Sequence, residues 1–170
     1  MTQLTPYQLF GLPETYAVDE ALLSERHREA MQKVHPDRFA DRSAAERRVA
    51  EQWSALINEA YETLRTPVKR AMWLAERRGT AVDAESNVRM PADFLMEQMA
   101  WREALDEAPD EAARAAVVAE VDERRREVEA ALEEAFDRQN DAAKGAALAR
   151  KLLFLVKFIR DAQSASARGL

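Results

Sequence analysis

The pattern of apolar and polar residues is helical along nearly the whole chain. A Thr-Pro pair is suited to begin a short helix over residues 5–11. Asp19 is suited to cap a second helix over residues 20–34, which Pro36 then stops. One face of this second helix is formed by Leu23, His27, Ala30 and Val34. We therefore expect a helix that packs on one side and ends at an exposed loop.

A longer helix is predicted after that loop. It begins near Ser43, with Glu46 three positions later in a capping-box pattern. Its spacing predicts a buried stripe of Val49, Trp53, Leu56, Ile57, Ala60, Tyr61 and Leu64. A short fourth helix follows Pro67. The second and third helices should form an antiparallel hairpin whose connection is the loop HPDRF.

The periodicity breaks at GTAVDAESNVRM, residues 79–90, and resumes at Pro91. We predict a first domain over 1–78, a linker over 79–90, and a second domain over 91–170. In the second domain, further helices are expected over about 110–137 and 141–163, and the small-residue end SASARGL should fray. The long helix should bury Val117, Val121, Val128, Ala131 and Ala135, and the last helix Leu148, Leu152, Leu155 and Ile159.

The segment PADFLMEQMAWREALDE has two apolar faces. At about 100° per residue, Phe94, Trp101 and Leu105 form one stripe. Leu95, Met96 and Met99 form a second stripe, centred roughly 150° round the helix. Either a bundle surrounds this helix, or the second stripe is an exposed and adaptable surface for another protein. Phe154 would extend that surface if the last helix is a neighbour.

Composition excludes several kinds of chemistry. The 170 residues include no cysteine, two histidines and four glycines, which argues against a thiolate or multi-histidine metal site and a glycine-rich phosphate loop. Neither a membrane span nor a secretory signal is apparent, so we expect a soluble protein of a reducing compartment. Alanine, glutamate, arginine and leucine dominate, as is typical of an all-α protein.

Charge is distributed unevenly. The net charge is −6, yet residues 1–78 carry 12 basic and 12 acidic side chains, so the whole excess lies in the second half. Within 26–48, seven basic residues face four acidic ones. This region is either an ordinary solvated helix face or a docking surface for an acidic partner. The run DERRRE has acidic neighbours and is better read as a solvated helix face than as a nucleic-acid site.

His35, Pro36 and Asp37 lie where the second helix ends. Proline fixes φ and stops the helix, and a short loop of local hydrogen bonds can hold the aspartate. Taken alone, this triplet is either a simple helix terminator or a rigid docking element. An acid–base enzyme is disfavoured because the sequence offers no evident nucleophile or cofactor loop beside it. We therefore expect a non-enzymatic protein without a cofactor or metal.

The helix before HPD, the triplet itself and the following LINEAYETLRTPVKRAMWL resemble the J-domain of the DnaJ class over about residues 4–76. The resemblance implies docking to a DnaK-type chaperone and stimulation of its ATPase. The implied chaperone-binding residues are His35, Pro36, Asp37, Arg26, Arg28, Lys33 and Arg38. His27 and Ala30 depart from the usual aromatic and leucine, and we expect His27 to face the core.

In the second half, FLMEQM, WRE and RKLLFLVKF look like the C-terminal domain of HscB-type co-chaperones, in the bacterial form without a cysteine-bearing zinc extension. That resemblance implies an L-shaped all-α protein, a J-domain joined to a three-helix bundle, that delivers an IscU-type iron–sulfur scaffold to HscA in the cytoplasm. The implied scaffold-binding residues are Leu95, Met96, Met99, Arg102, Glu103 and Phe154. Ala100 replaces a frequent acidic residue. A general J-protein with another client remains the alternative.

Overall fold

The structure is a computed structural model that describes residues 3–80 and 90–168. Its α-helices are α1 (Pro6–Leu9), α2 (Glu20–Val34), α3 (Ala44–Arg65), α4 (Pro67–Arg77), α5 (Ala92–Glu107), α6 (Glu111–Glu133) and α7 (Ala142–Ala167). A 3₁₀ turn (Pro36–Phe39) follows α2, and a π-helical turn (Glu134–Arg138) follows α6. Over these residues the predicted all-α fold is confirmed. None of the described helices is both long and apolar enough to span a membrane.

The predicted helix starts of the first half are confirmed by side-chain caps. The Asp19 carboxylate accepts a hydrogen bond from the Leu22 N–H at 3.1 Å, and the Ser43 hydroxyl accepts one from the Glu46 N–H at 3.2 Å. Each cap satisfies a backbone donor that has no partner within its own helix. Because these signals are local in sequence, the boundaries of α2 and α3 could be predicted without knowledge of the tertiary packing.

The chain divides into two compact units, Met1–Leu74 and Ala75–Leu170, so the division falls within α4. The predicted first domain, 1–78, ends slightly later. Most of the predicted linker, 79–90, lies outside the described residues, and its role stays a prediction.

The first unit is built on the antiparallel pair α2 and α3. Aromatic side chains contribute to its core: Tyr7 is buried, and the ring centroids of Tyr7 and the half-buried Trp73 lie 5.4 Å apart. Arg70 is also buried: its Nη1 donates to the Leu64 carbonyl at 2.6 Å, and its guanidinium lies 4.8 Å from the centroid of the Tyr16 ring. A carbonyl and an aromatic face therefore compensate the buried charge.

Two residues of the predicted α3 stripe, Val49 and Trp53, are exposed instead of buried. The reason is the length of α1, which has only four residues. It reaches the later turns of α3, where Leu9 and Leu56 line a shared cleft. Along the earlier turns the buried α3 residue is Ala50. The helical period is therefore correct, but the neighbouring element is too short to cover the whole stripe.

In the second unit, α5, α6 and α7 form an up-down-up bundle. Phe94 contacts Lys151, and Trp101 contacts Phe158, so α5 and α7 run parallel to each other. α6 is antiparallel to both. The core of the bundle includes Val121 and Val128, which the predicted stripe contains. It also includes Leu132 and Phe136, which that stripe omits.

A close contact joins the end of α6 to the start of α7. The buried Phe136 ring lies in the π-helical turn, directly against the backbone of Gly145. The Phe136 carbonyl accepts a hydrogen bond from Arg78 Nη1 at 2.7 Å, and Asn140, with φ of 51°, ends the turn. The turn thereby directs α7 back along α6.

α7 continues to Ala167, past the predicted end at 163, so the expectation that SASARGL frays is wrong for its first residues. Tertiary contacts account for the longer helix. Ala162 is buried, Ala165 lines a groove shared with α5, and the Ser166 hydroxyl lies 3.4 Å from Arg114 Nε. Packing thus extends a helix whose sequence suggests fraying.

The DERRRE run carries ion pairs within α6, as a solvated helix face should. Arg126 bonds Asp122 at 3.0 Å, and Arg125 bonds both Asp122 and Glu129. The hydrogen bond from Arg125, aided by the nearby charge of Arg126, holds the pKa of Asp122 below its ordinary value. The positive charges are thus compensated locally within the helix.

Gly145→Ala should destabilise the bundle. A Cβ at this position would lie 2.3 Å from Cζ of the Phe136 ring, far inside van der Waals contact. We expect a loss of about 1–3 kcal/mol in the free energy of unfolding, despite the higher helix propensity of alanine. Urea unfolding followed by circular dichroism measures it. Phe136→Leu should relieve part of the loss in a double-mutant cycle, whereas unchanged stability of the single variant would contradict the contact.

Asp122→Asn should lower stability in a pH-dependent way. A carboxylate whose folded pKa is depressed contributes stability above its unfolded pKa, and that contribution disappears as pH falls through the folded pKa. Because the pair is partly exposed, we expect a loss below about 1 kcal/mol at pH 7 that shrinks as the pH falls below the ordinary pKa of an aspartate. Urea titrations at several pH values measure the difference, and Glu120→Gln, at an exposed position of α6, is the control. A pH-independent loss would contradict the ion-pair explanation.

Candidate partner-binding surfaces

The HPD triplet forms a turn that is organised by its own hydrogen bonds. His35 ends α2 and caps the 3₁₀ turn, and its Nδ1 accepts a hydrogen bond from the Asp37 N–H at 3.2 Å. The His35 carbonyl accepts from the Arg38 N–H at 2.9 Å. Because Nδ1 acts as an acceptor, the neutral ring carries its proton on Nε2. The backbone of the triplet is therefore held in one conformation.

The Asp37 side chain points away from the protein. It is 91% exposed, and its Oδ2 lies 3.6 Å from His35 Nδ1. The imidazole of His35 is itself half-exposed. An exposed carboxylate on a rigid turn can accept a bidentate hydrogen bond from an arginine of a partner. This arrangement suits docking.

The structure brings only some of the predicted chaperone-binding residues together. Arg28 and Arg38 line a shallow cleft with His35, together with Met31 on the same face of α2. Lys33 is exposed, but at about 100° per residue it lies roughly 140° away from Arg28.

Arg26 lies on the same side as Lys33, and its Nη1 donates to the Phe10 carbonyl at 3.3 Å. The predicted basic residues therefore form two groups: Arg28 and Arg38 lie beside the HPD turn, whereas Arg26 and Lys33 lie on another face.

His27 of α2 packs against α3 and is not part of the HPD turn. Its ring stacks on Tyr61 with centroids 4.0 Å apart, and its Nε2 lies 2.9 Å from Asn58 Oδ1. The Phe10 ring meets it edge-on. The residue is half-buried and not fully in the core, because it packs near the edge of the α2–α3 contact. It helps to fix the rotation of α2, and with it the direction of the HPD turn.

The second surface lies on α5. Phe94 and Trp101 are buried in the bundle, whereas Leu95, Met96 and Met99 are 44%, 70% and 70% exposed. The bundle therefore does not surround α5. We call the exposed residues Leu95, Met96, Met99, Arg102 and Glu103 the α5 surface.

One edge of the α5 surface, at Arg102, lies next to α7. On the opposite side, Glu97 bonds Arg124 of α6 at 3.2 Å. Arg102 lines a groove between α5 and α7 together with Phe154 of α7, which is 41% exposed. Phe154 thus borders the α5 surface, as expected if the two helices are neighbours. The groove continues past Trp101 and Phe158.

Gln98 is the residue of this region that sequence reasoning missed. It lines the groove, and its Nε2 is buried without a hydrogen-bond partner among the described residues. Its place between the buried stripe and the α5 surface could have been read from the helical period. Ala100 is exposed, so the rim has no carboxylate there.

Nothing in the described residues resembles a metal centre, because they contain no cluster of three or more histidine, aspartate or glutamate side chains that could hold an ion. Together, the geometry provides a rigid polar turn in the first unit and an apolar surface with a polar rim in the second. Both arrangements are suited to binding other proteins.

Two family models match the chain. The DnaJ domain matches residues 5–73, and the HSCB C-terminal oligomerisation domain matches residues 90–163. The chain is 47% identical to the co-chaperone protein HscB homolog of Cupriavidus taiwanensis over 94% of this chain and 92% of that protein. It is 46% identical to the homolog of Bordetella avium over 91% of this chain and 93% of that protein.

Solved structures agree with these matches. The chaperone HscB from Vibrio cholerae is 33% identical, with a TM-score of 0.85 over 98% of this chain and all of that chain. The human co-chaperone protein HscB is 28% identical, with a TM-score of 0.91 over 96% of this chain and 82% of that chain.

The triple variant L95A/M96A/M99A should fold normally. These side chains are largely exposed, so their truncation should change the free energy of unfolding by less than about 1 kcal/mol in total. Phe94→Ala, one position away on the buried face, should cost about 3–5 kcal/mol and is the control. Urea unfolding measures both. A loss above about 3 kcal/mol in the triple variant would place its residues in the core.

Proposed function

Because the chain belongs to the HscB family of J-domain co-chaperones, we propose that it delivers an IscU-type iron–sulfur scaffold to HscA, a DnaK-type chaperone, and stimulates the ATPase of that chaperone. It does so in the cytoplasm, as a non-enzymatic adaptor without a cofactor. No bond is made or broken by its own residues.

The chaperone binds the HPD turn. Pro36 and the two local hydrogen bonds of His35 hold the turn before the partner arrives, so little conformational entropy is lost on docking. Asp37 offers its carboxylate to a basic group of the chaperone. Arg28 and Arg38, beside the turn, meet acidic groups and increase the association rate. Arg26 and Lys33 add positive charge from the other face of α2.

The scaffold binds the α5 surface together with Phe154. The observation that carries this part of the proposal is the exposure of Leu95, Met96 and Met99 on a helix whose opposite face is buried. Exposed apolar side chains gain free energy when a partner covers them, and methionine adapts its shape to that partner. Arg102 and Glu103 supply a polar rim that sets the orientation.

Binding both partners to one chain raises their effective concentration towards each other. The two surfaces are carried by different units, so each can be changed without altering the other. The adaptor hypothesis therefore requires that the two activities be separable by mutation and additive in the assembled complex.

The decisive experiment is steady-state ATP hydrolysis by HscA in four mixtures: alone, with this protein, with the scaffold, and with both. Stimulation that rises further with the scaffold supports binding at both surfaces. Stimulation that ignores the scaffold identifies a J-protein with another client. No stimulation in either mixture would contradict the proposal.

His35→Gln should reduce ATPase stimulation to below about a tenth of the parent value, because loss of the imidazole removes the acceptor that organises Asp37. The Kd of this variant for the scaffold should stay within about twofold of the parent value.

L95A/M96A/M99A should raise the Kd for the scaffold at least about tenfold and keep the ATPase stimulation that is seen without scaffold. Stopped-flow ATPase assays and isothermal titration calorimetry measure the two effects.

Matched controls are available for both variants. Glu29→Gln changes an exposed charge of α2 away from the triplet, and Val156→Ala removes an exposed apolar side chain of α7 outside the α5 surface. Both should behave as the parent protein. If His35→Gln weakens scaffold binding as strongly as the triple variant does, the two surfaces are not independent and the assignment is wrong.

A further inference from the structure

The methionines of this chain differ sharply in their environment. Met96 and Met99 are 70% exposed, whereas Met31, Met72 and Met90 are half-buried. The Met31 sulfur also lies 3.8 Å from the Ser54 hydroxyl. Oxidation of a thioether requires access of the oxidant to sulfur. Among the described methionines, the two most exposed residues therefore lie side by side on the α5 surface.

We propose that Met96 and Met99 are an oxidisable pair that controls scaffold binding. This inference rests on the proposed function of the α5 surface. The oxidant is hydrogen peroxide: its O–O bond breaks, one oxygen forms an S–O bond with the thioether, and the other leaves as water with both protons. Sulfur loses two electrons, and each of the two peroxide oxygens gains one. The product is methionine sulfoxide.

The consequence follows from the chemistry of the new group. A sulfoxide is a strong hydrogen-bond acceptor, so burying it in the apolar centre of the contact costs free energy wherever no donor reaches it. Met96 and Met99 are three positions apart, so either sulfoxide enters the same contact. Each should raise the Kd for the scaffold about tenfold, in line with the cost of burying an unpaired polar group.

The effect should be selective for one activity. The HPD turn contains no methionine, and Met31, the methionine beside it, is the half-buried one bonded to Ser54. At a peroxide dose that oxidises Met96 and Met99 only, the protein should still stimulate the chaperone and lose the additional effect of the scaffold. Methionine sulfoxide reductases reverse the modification, so scaffold delivery would resume when oxidant is removed.

The test treats the full chain with hydrogen peroxide, maps each methionine by peptide mass spectrometry, and measures the Kd for the scaffold before and after. We expect Met96 and Met99 to be oxidised first, the Kd to rise about tenfold or more, and reductase treatment to restore it. Bound scaffold should slow the oxidation of Met96 and Met99 and leave the oxidation rate of Met72 unchanged. Circular dichroism before and after treatment checks that the fold is intact.

The matched control is M96L/M99L, which keeps an apolar surface without a thioether. Peroxide treatment should leave the Kd of this variant for the scaffold at its untreated value, whatever that value is. Oxidation of Met31, Met72 or Met90 at the same rate, or an unchanged Kd in fully oxidised parent protein, would overturn the inference alone. Untreated parent protein that does not bind the scaffold would overturn the proposed function of the α5 surface, and the inference with it.

Discussion

The constraint on which the second unit depends is that an α-helix packed in a three-helix bundle buries only part of its circumference. Phe94 and Trp101 are buried against α7, and Glu97 is tied to Arg124 of α6. These contacts on two sides fix the rotation of α5 about its axis. Once the rotation is fixed, Leu95, Met96 and Met99 must face away from the buried stripe, so the exposure of the α5 surface is a consequence of the core.

In the first unit, packing contacts likewise fix the rotation of a helix, here the helix α2 that precedes the HPD turn. Packing of His27 on Tyr61 sets the rotation of α2, and Pro36 ends the helix at a defined residue. The turn that follows is stabilised by bonds within the triplet, so it depends little on distant contacts. A turn with a defined conformation thus follows a helix whose own orientation is set by its contacts with α3.

The chemistry of the exposed side chains is suited to contacts with other proteins. The recognisable chemistry of this chain consists of an exposed carboxylate, nearby guanidinium groups and flexible apolar side chains. Such groups bind and orient other proteins. The relatives are named co-chaperones, in keeping with an action that is exerted through partners.

Much of this could be predicted from local signals in the sequence. Caps such as Asp19 and Ser43 determine where α2 and α3 begin, because they act on donors within three residues. The two apolar stripes of α5 follow from the helical period, and their division into core and surface is confirmed by burial. The resemblance of HPD and of FLMEQM to known families is likewise a property of sequence alone.

Tertiary structure decided what no local pattern contains. The exposure of Val49 and Trp53 follows from the shortness of α1, and the length of α7 follows from its contacts with α5 and α6. The close contact between the Phe136 ring and Gly145 also joins residues that no local pattern pairs. The tertiary structure also places Arg26 and Lys33 on a different face of α2 from Arg28, which lies beside the turn, and it places Gln98 in the groove. The physical reason is that periodicity specifies which residues share a face, whereas burial depends on which neighbouring element covers that face and how far it reaches.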